Sequence, residues 1–165
     1  MKSRNMRLLV YAVVAILLTI IDIVFLNFIS IGGITPDLLL ILVVWISIYE
    51  GQFIGIFSGF AIGLLFDIAS MDVLGTNALT KTVAALVAGF FYREGKEARI
   101  IGSISFLAIV LLCSVIHNLI YFFFYIKLSE ISFLSFFLKY GIALSVYTTV
   151  FAVFGMLMKS QRGIR

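Results

Sequence analysis

A single cysteine, Cys113, and a single histidine, His117, stand in a chain of 165 residues. No intrachain disulfide can form, and Cys113 with His117, four apart on one helix face, falls short of the usual four-coordinate metal site. Charge is scarce too: Asp, Glu, Lys and Arg make up 12% of the chain, against roughly 25% in a soluble domain. No Gly-rich phosphate loop, GxSxG, HExxH or CxxC pattern occurs, and no tandem repeat, low-complexity segment or linker is visible. These absences exclude an ordinary soluble domain, a disordered tail and a disulfide scaffold. They leave an enzyme without recognisable apparatus, so no catalytic residue, cofactor or metal is expected.

What the chain has is apolar sequence, with 63% hydrophobic residues and a mean hydropathy of +1.22. Such a chain dissolves in lipid. A span with its connection takes about 27 residues, which predicts about six transmembrane helices, an all-α polytopic fold and one integral membrane domain over 1–165. The charge-poor runs fall at 8–29, 36–49, 52–66, 74–92, 100–126 and 136–158. Ser30, Gly32 and Gly33 supply turn chemistry before the second run, and Pro36 suits its first turn because proline's missing N–H costs nothing there. Residues 67–75 read as a polar connection. The seventeen Phe, scattered through the runs, suit a lipid-facing surface better than base stacking, and no nucleic-acid partner is expected.

The first run is basic at its start, and Ser30-Ile31-Gly32 is a small-x-small step, but its length exceeds the 7–15 apolar residues of a signal-peptide core. A retained first helix is expected. With six spans, both termini and the Arg93–Arg99 stretch (REGKEAR) share one side. That side carries Lys2, Arg4, Arg7, Arg93, Lys96, Arg99, Lys159, Arg162 and Arg165, nine of the twelve basic residues, against Lys127 and Lys139 opposite. The bias predicts that both ends are cytoplasmic.

Two groups of residues invite function. Gly51, Gly55, Gly59 and Gly63 recur every four residues, with Asp67 at the next step. Small residues at that spacing let helix backbones approach closely in lipid, and the ladder fits packing within this chain, a partner's helix or a ligand. The second group is polar. Asp22 and Lys81 lie inside apolar runs, Asp37 and Asp67 at helix ends, and Asp72 in the neighbouring connection. A charge within the bilayer normally pairs, snorkels or faces water. Asp22 and Asp67 are the acids expected at the depth of Lys81. His117 and Asn118, near Tyr121, suit an interhelical hydrogen bond.

Three segments in order carry a resemblance: Thr35-Pro36-Asp37-Leu38-Leu39-Leu40, then residues 55–67 reading GIFSGFAIGLLFD, then Leu74-Gly75-Thr76-Asn77-Ala78-Leu79. Together they are similar to the MreD family of rod shape-determining proteins, with the match concentrated in residues 35–92 and Pro36, Asp37, Asp67, Gly75 and Asn77 as its marks. The resemblance implies a non-enzymatic inner-membrane component of the bacterial cell-elongation machinery that supports lateral peptidoglycan synthesis. It implies MreC as partner through a membrane helix, and through it RodA, its penicillin-binding transpeptidase and MreB. It also implies the six-helix fold of the substrate-binding subunits of energy-coupling vitamin importers, which makes a small-molecule-binding subunit of that kind the alternative. Against it, the AxxxA pattern common in their first helix is missing, since Ala12 and Ala15 are three apart, and no clearly polar intramembrane pocket is expected.

The topology has a direct test. Cysteines placed singly at Glu97 and Glu130, in a background lacking Cys113, are expected to label oppositely. An impermeant maleimide should reach position 130 in intact cells and not position 97; labelling of both would exclude six spans.

Overall fold

The computed structural model describes residues 2–25, 28, 30, 34–126 and 133–160. Gly32, Gly33, most of the small-x-small step, Lys127, Glu130, Arg162 and Arg165 lie outside the described residues, as do the side chains of Lys2 and Lys159. Every regular element among the described residues is a helix, with no strand. In order come α1 (Lys2–Val24), α2 (Leu38–Glu50), α3 (Gln52–Ser70), α4 (Thr76–Gly89), α5 (Glu97–Ile101), α6 (Ile104–Ile126), α7 (Phe133–Phe136), a π turn (Phe137–Gly141) and α8 (Ile142–Ser160).

Four stretches are long and apolar enough to cross a membrane: Arg4–Val24, Gln52–Ser70, Ile104–Phe124 and Leu134–Leu157. The remaining two expected runs form shorter helices. α2 has 13 residues and α4 has 14, about 20 Å each at 1.5 Å per residue, against a hydrocarbon core of about 30 Å. Several boundaries differ from those expected. Pro36 precedes the helix, because the Asp37 side chain accepts the Leu40 N–H and starts α2 one residue later. The expected polar connection from residue 67 begins only after Ser70, because α3 continues through Asp67. Gly102 and Ser103 divide the expected fifth run into the single turn of α5 and the long α6.

α2 is the central helix, touching α1, α3, α4, α5, α6 and α8. Its sequence, LLLILVVWISIYE, is apolar all round, as a helix buried on every side must be. Leu40, Val44 and Ile48 pack with Ala84, Ala88, Ile101, Phe106 and Val110. The opposite side, Leu39, Val43 and Ile46, packs with Ala15, Ile62 and Ala85. Trp45 sets its ring edge-on to Phe106, centroids 5.9 Å apart. α1 packs chiefly on α2 and α3 and turns Leu9, Val13, Leu17 and Ile20 outward. Phe53, Phe57 and Phe60 of α3 point outward as well, which suits an integral membrane protein whose outer surface meets acyl chains.

The glycine ladder lies inside the bundle. A Cβ at Gly55 would collide with Ser47 of α2; at Gly59 it would stand 2.8 Å from the Lys81 carbonyl oxygen and 3.1 Å from the Ala85 Cβ; at Gly63 it would collide with the backbone of Asn77 and Ala78. Gly89 of α4 returns the relation, its Cβ position 2.5 Å from Gln52. α3 and α4 thus lie backbone to backbone, the closest approach that lipid-embedded helices use in place of a hydrophobic driving force. Gly51 is the exception among the four expected contact residues. It sits between α2 and α3 with φ +98°, a conformation glycine adopts without a Cβ clash, and it makes the corner that reverses the chain.

A side chain at Gly59 has to displace the α4 backbone. Gly59→Ala is expected to cost about 1–3 kcal/mol, the range for overpacking, and Gly59→Leu to remove most folded protein. Thermal stability in detergent and membrane abundance, measured on the same preparations, check both; a Gly59→Leu protein of normal stability would mean that the seam is not closed in this way.

Candidate functional site

At the end of the bundle where α2 and α4 begin, the polar residues of four helices converge. α2 supplies Asp37 at its N-cap, with φ −87° and ψ 92°. One carboxylate oxygen accepts the Leu40 N–H at 2.8 Å, satisfying a donor that the first helical turn leaves without a partner. The Asp37 N–H donates to the Thr148 hydroxyl of α8 at 3.0 Å. Its other carboxylate oxygen receives Lys81 Nζ at 2.7 Å.

Lys81 is 1% exposed, one of the largest fully buried side chains of the protein. It lies five residues into α4, and a helical side chain leans toward its own N-terminus. α2 and α4 both begin at this end, so the ammonium arrives beside Asp37. Lys81 Nζ also donates to Asn77 Oδ1, one turn earlier, at 3.1 Å, and lies 5.4 Å from the centroid of the Phe66 ring. His117 Nε2 is 3.5 Å away and 3.7 Å from the Asp37 carboxylate. The pairing expected with Asp22 or Asp67 is thereby corrected. Asp22 lines the same cavity without a direct ion pair to Lys81, and the Asp67 carboxylate is occupied elsewhere.

Asp67 acts as a cap delivered from another helix. Gly75, at the N-cap of α4, has no side chain to offer, and the buried Asp67 carboxylate accepts three backbone N–H groups: Gly75 at 2.9 Å, Asn77 at 3.1 Å and Ala78 at 3.2 Å. A negative charge there also faces the positive end of the α4 dipole. Asp67 is the step after Gly63 on the ladder, so the seam that presses α3 against α4 also carries the cap into place.

A second polar chain runs across α6 to α8. His117 Nδ1 is 3.3 Å from Asn118 Oδ1. An amide oxygen only accepts, so Nδ1 carries the proton of this bond. The Asn118 amide then donates to Ser145 Oγ at 2.9 Å and reaches the Gly141 carbonyl at 3.4 Å. That carbonyl belongs to the π turn and also accepts the Ser145 hydroxyl at 2.8 Å. Tyr121 stacks on His117 with ring planes 10° apart and donates its hydroxyl to Asp72 at 2.8 Å. Asp72 also accepts the Asn77 side-chain amide at 3.3 Å, which ties the α3–α4 connection to α6.

Between these groups lies a cavity of about 300 Å³ whose lining includes Asp22, Asp37, Lys81, His117 and Asn118. The expectation of no clearly polar intramembrane pocket is therefore corrected: residues distant in sequence form one once α2, α4 and α6 meet. Cys113 stands a turn from His117 but is buried in the apolar cluster with Leu40 and Val110. No group of three metal-ligating side chains occurs among the described residues. Every fully buried side-chain nitrogen or oxygen described has a hydrogen-bond partner. Sequence reasoning missed Ser145 and Thr148 as members of this network. Asp72 and Tyr121 were noted in the sequence without their bond to each other, and Asn77 stands one turn before the Lys81 it accepts from.

Removing one member of the central pair strands the other in a poor solvent. Lys81→Met and Asp37→Asn are each expected to destabilise by about 3–5 kcal/mol, and the double variant by less than the sum. Thermal melts of the three purified variants check this, and strictly additive losses would rule out the pairing. Asp22→Asn, which removes no ion pair of Lys81 among the described residues, should cost less than either single change.

Compared with known proteins, the chain matches one protein-family model, described as rod shape-determining protein MreD, over residues 2–160. No curated protein and no solved structure gives a significant match.

Proposed function

The chain belongs to the MreD family of rod shape-determining proteins, an integral membrane family with a role in cell shape, and from that premise we propose that it is a non-enzymatic scaffold that binds MreC. In this reading it sits in the inner membrane of a bacterium and crosses it six times, α2 and α4 being the two short crossings, with both termini cytoplasmic. Through MreC it joins RodA, its penicillin-binding transpeptidase and MreB, and so supports lateral peptidoglycan synthesis.

The observation that carries the reading is the family match, which runs from the first helix through the last described one. The chemistry of the interior supports it. Lys81, Asp37, Asp67, His117 and Asn118 bond to one another, to backbone amides or to neighbouring hydroxyls, so each holds helices together. Groups engaged in this way stabilise an arrangement and carry no activated nucleophile. The glycine seam is filled by α2 and α4, so MreC meets a different surface of the bundle.

The cavity beside Asp37 favours one other reading, a small-molecule-binding subunit like those of energy-coupling vitamin importers. One experiment separates the two. The tagged full-length protein, purified from native membranes in mild detergent, is expected to retain MreC at near-stoichiometric abundance by quantitative proteomics. A bound small molecule recovered by mass spectrometry, with MreC no more abundant than in a mock purification, would overturn the scaffold reading.

A further inference from the structure

Two cavities lie at the end of the bundle opposite the Lys81 pair, and charge is divided between them by sign. The first is lined by Arg4 and Arg7 of α1 together with Glu50, Glu94 and Glu97. Here cations face acids. Arg7 Nε stands 2.9 Å from Glu50 Oε1, Tyr11 donates to the same carboxylate at 3.1 Å, and Glu97 accepts the Gly95 N–H at 2.9 Å. The second, of about 540 Å³, is lined by Arg93, Lys96 and Arg99, with Ser105 beside them and Phe91 and Ile109 as apolar wall. No acid lines it, and among the described residues none of the three cations makes an ion pair.

The sequence RxxKxxR alternates with acids, so a flat loop would neutralise itself. The fold prevents this. Lys96 N–H closes a turn on the Arg93 carbonyl at 3.0 Å, and Gly95 supplies the φ of +76° that the turn requires. The single turn of α5 follows, pinned by fully buried Ile101, and brings Arg99 round beside Arg93 and Lys96. Glu94 and Glu97 are directed to the first cavity, toward the arginines of α1. Three cations held around one space repel one another unless an anion joins them.

The remaining lining indicates the form of that anion. α6 begins at Ile104; the Phe106 N–H bonds the Ser103 carbonyl at 3.0 Å, and the other N–H groups of the first turn are of the kind that suits a phosphate. Ser105 is exposed at the same place, while the Ser103 hydroxyl donates to the Ile100 carbonyl at 2.8 Å. Ile109 lies five residues further along α6, about 8 Å deeper. The cavity therefore has cations and donors at its mouth and apolar surface below, the order of groups in a phospholipid from headgroup to acyl chain. A free phosphate would use the first part and leave the second unused.

We propose that this cavity binds the phosphate headgroup of an anionic phospholipid, with an acyl chain lying along Phe91 and Ile109. Arg93, Lys96 and Arg99 supply the charge, and Ser105 with the start of α6 supplies hydrogen-bond donors. The site is distinct from the Lys81 network and does not depend on MreC.

Native mass spectrometry of the full chain, exchanged into phosphatidylcholine micelles with a small fraction of phosphatidylglycerol, tests it. The protein is expected to retain phosphatidylglycerol in preference to phosphatidylcholine. Arg99→Gln and Lys96→Gln should each weaken retention about fivefold, the factor carried by one basic residue at an anionic membrane surface, while Arg4→Gln, of equal charge loss at the first cavity, should leave it unchanged. Lys96 and Arg99 are exposed, and the emission of the lone tryptophan, Trp45, reports whether each variant is folded. Equal loss in all three variants would reduce the effect to general surface charge and overturn the site. Full displacement of phosphatidylglycerol by millimolar inorganic phosphate would overturn the lipid assignment.

Discussion

A lysine ammonium buried among apolar helices is the constraint on which the rest of this structure depends. Withdrawn from bulk solvent at 1% exposure, Lys81 needs an anion and further acceptors within reach of its own side chain. Asp37 meets it at 2.7 Å and Asn77 at 3.1 Å. Each partner is tied elsewhere as well. Asp37 caps α2 and holds Thr148 of α8; Asn77 belongs to the capped start of α4 and bonds to Asp72. The position of one cation therefore fixes the start of α2 against α4, α6 and α8.

The second support is the seam between α3 and α4. Lipid provides no hydrophobic drive to press helices together, so close packing and internal hydrogen bonds must do it. Gly59 and Gly63 bring the backbones together, and Asp67, one step further along the same stripe, closes the start of α4 with three N–H bonds. The spacing that allows contact also aims the carboxylate. Were α3 and α4 further apart, the cap would be out of reach and the base on which Lys81 stands would fray.

These two supports lie along one end and one side of the bundle, and their polar groups face inward. At the other end, the connection from α4 to α6 keeps its acids for α1 and turns its cations away from them. The interior is thus closed by its own charges, whereas the exterior offers apolar helix faces to lipid and a concentrated positive surface at one rim. In this member of a shape-determining membrane family, the division puts the groups that tie helices together inside and leaves apolar faces outside.

Apolar content, the order of the helical runs and the four-residue glycine period were legible in the chain, because membrane insertion and helix periodicity are local properties of sequence. The three family-like segments were legible for the same reason, being contiguous. That Lys81 needed an acid could be read as well, from its apolar surroundings. Which acid answered it could not. Asp22, Asp37, Asp67 and Asp72 were all near one end, and depth alone favoured Asp22 and Asp67. Tertiary structure assigned Asp37 to Lys81, Asp67 to the start of α4 and Asp72 to Tyr121, because hydrogen bonds form within about 3 Å and so depend on how whole helices pack. The shortness of α2 and α4, the reach of the Asn118 amide to the Gly141 carbonyl, and the sorting of the REGKEAR charges by sign belong to the same class: each depends on what lies across the bundle, and no window of sequence contains it.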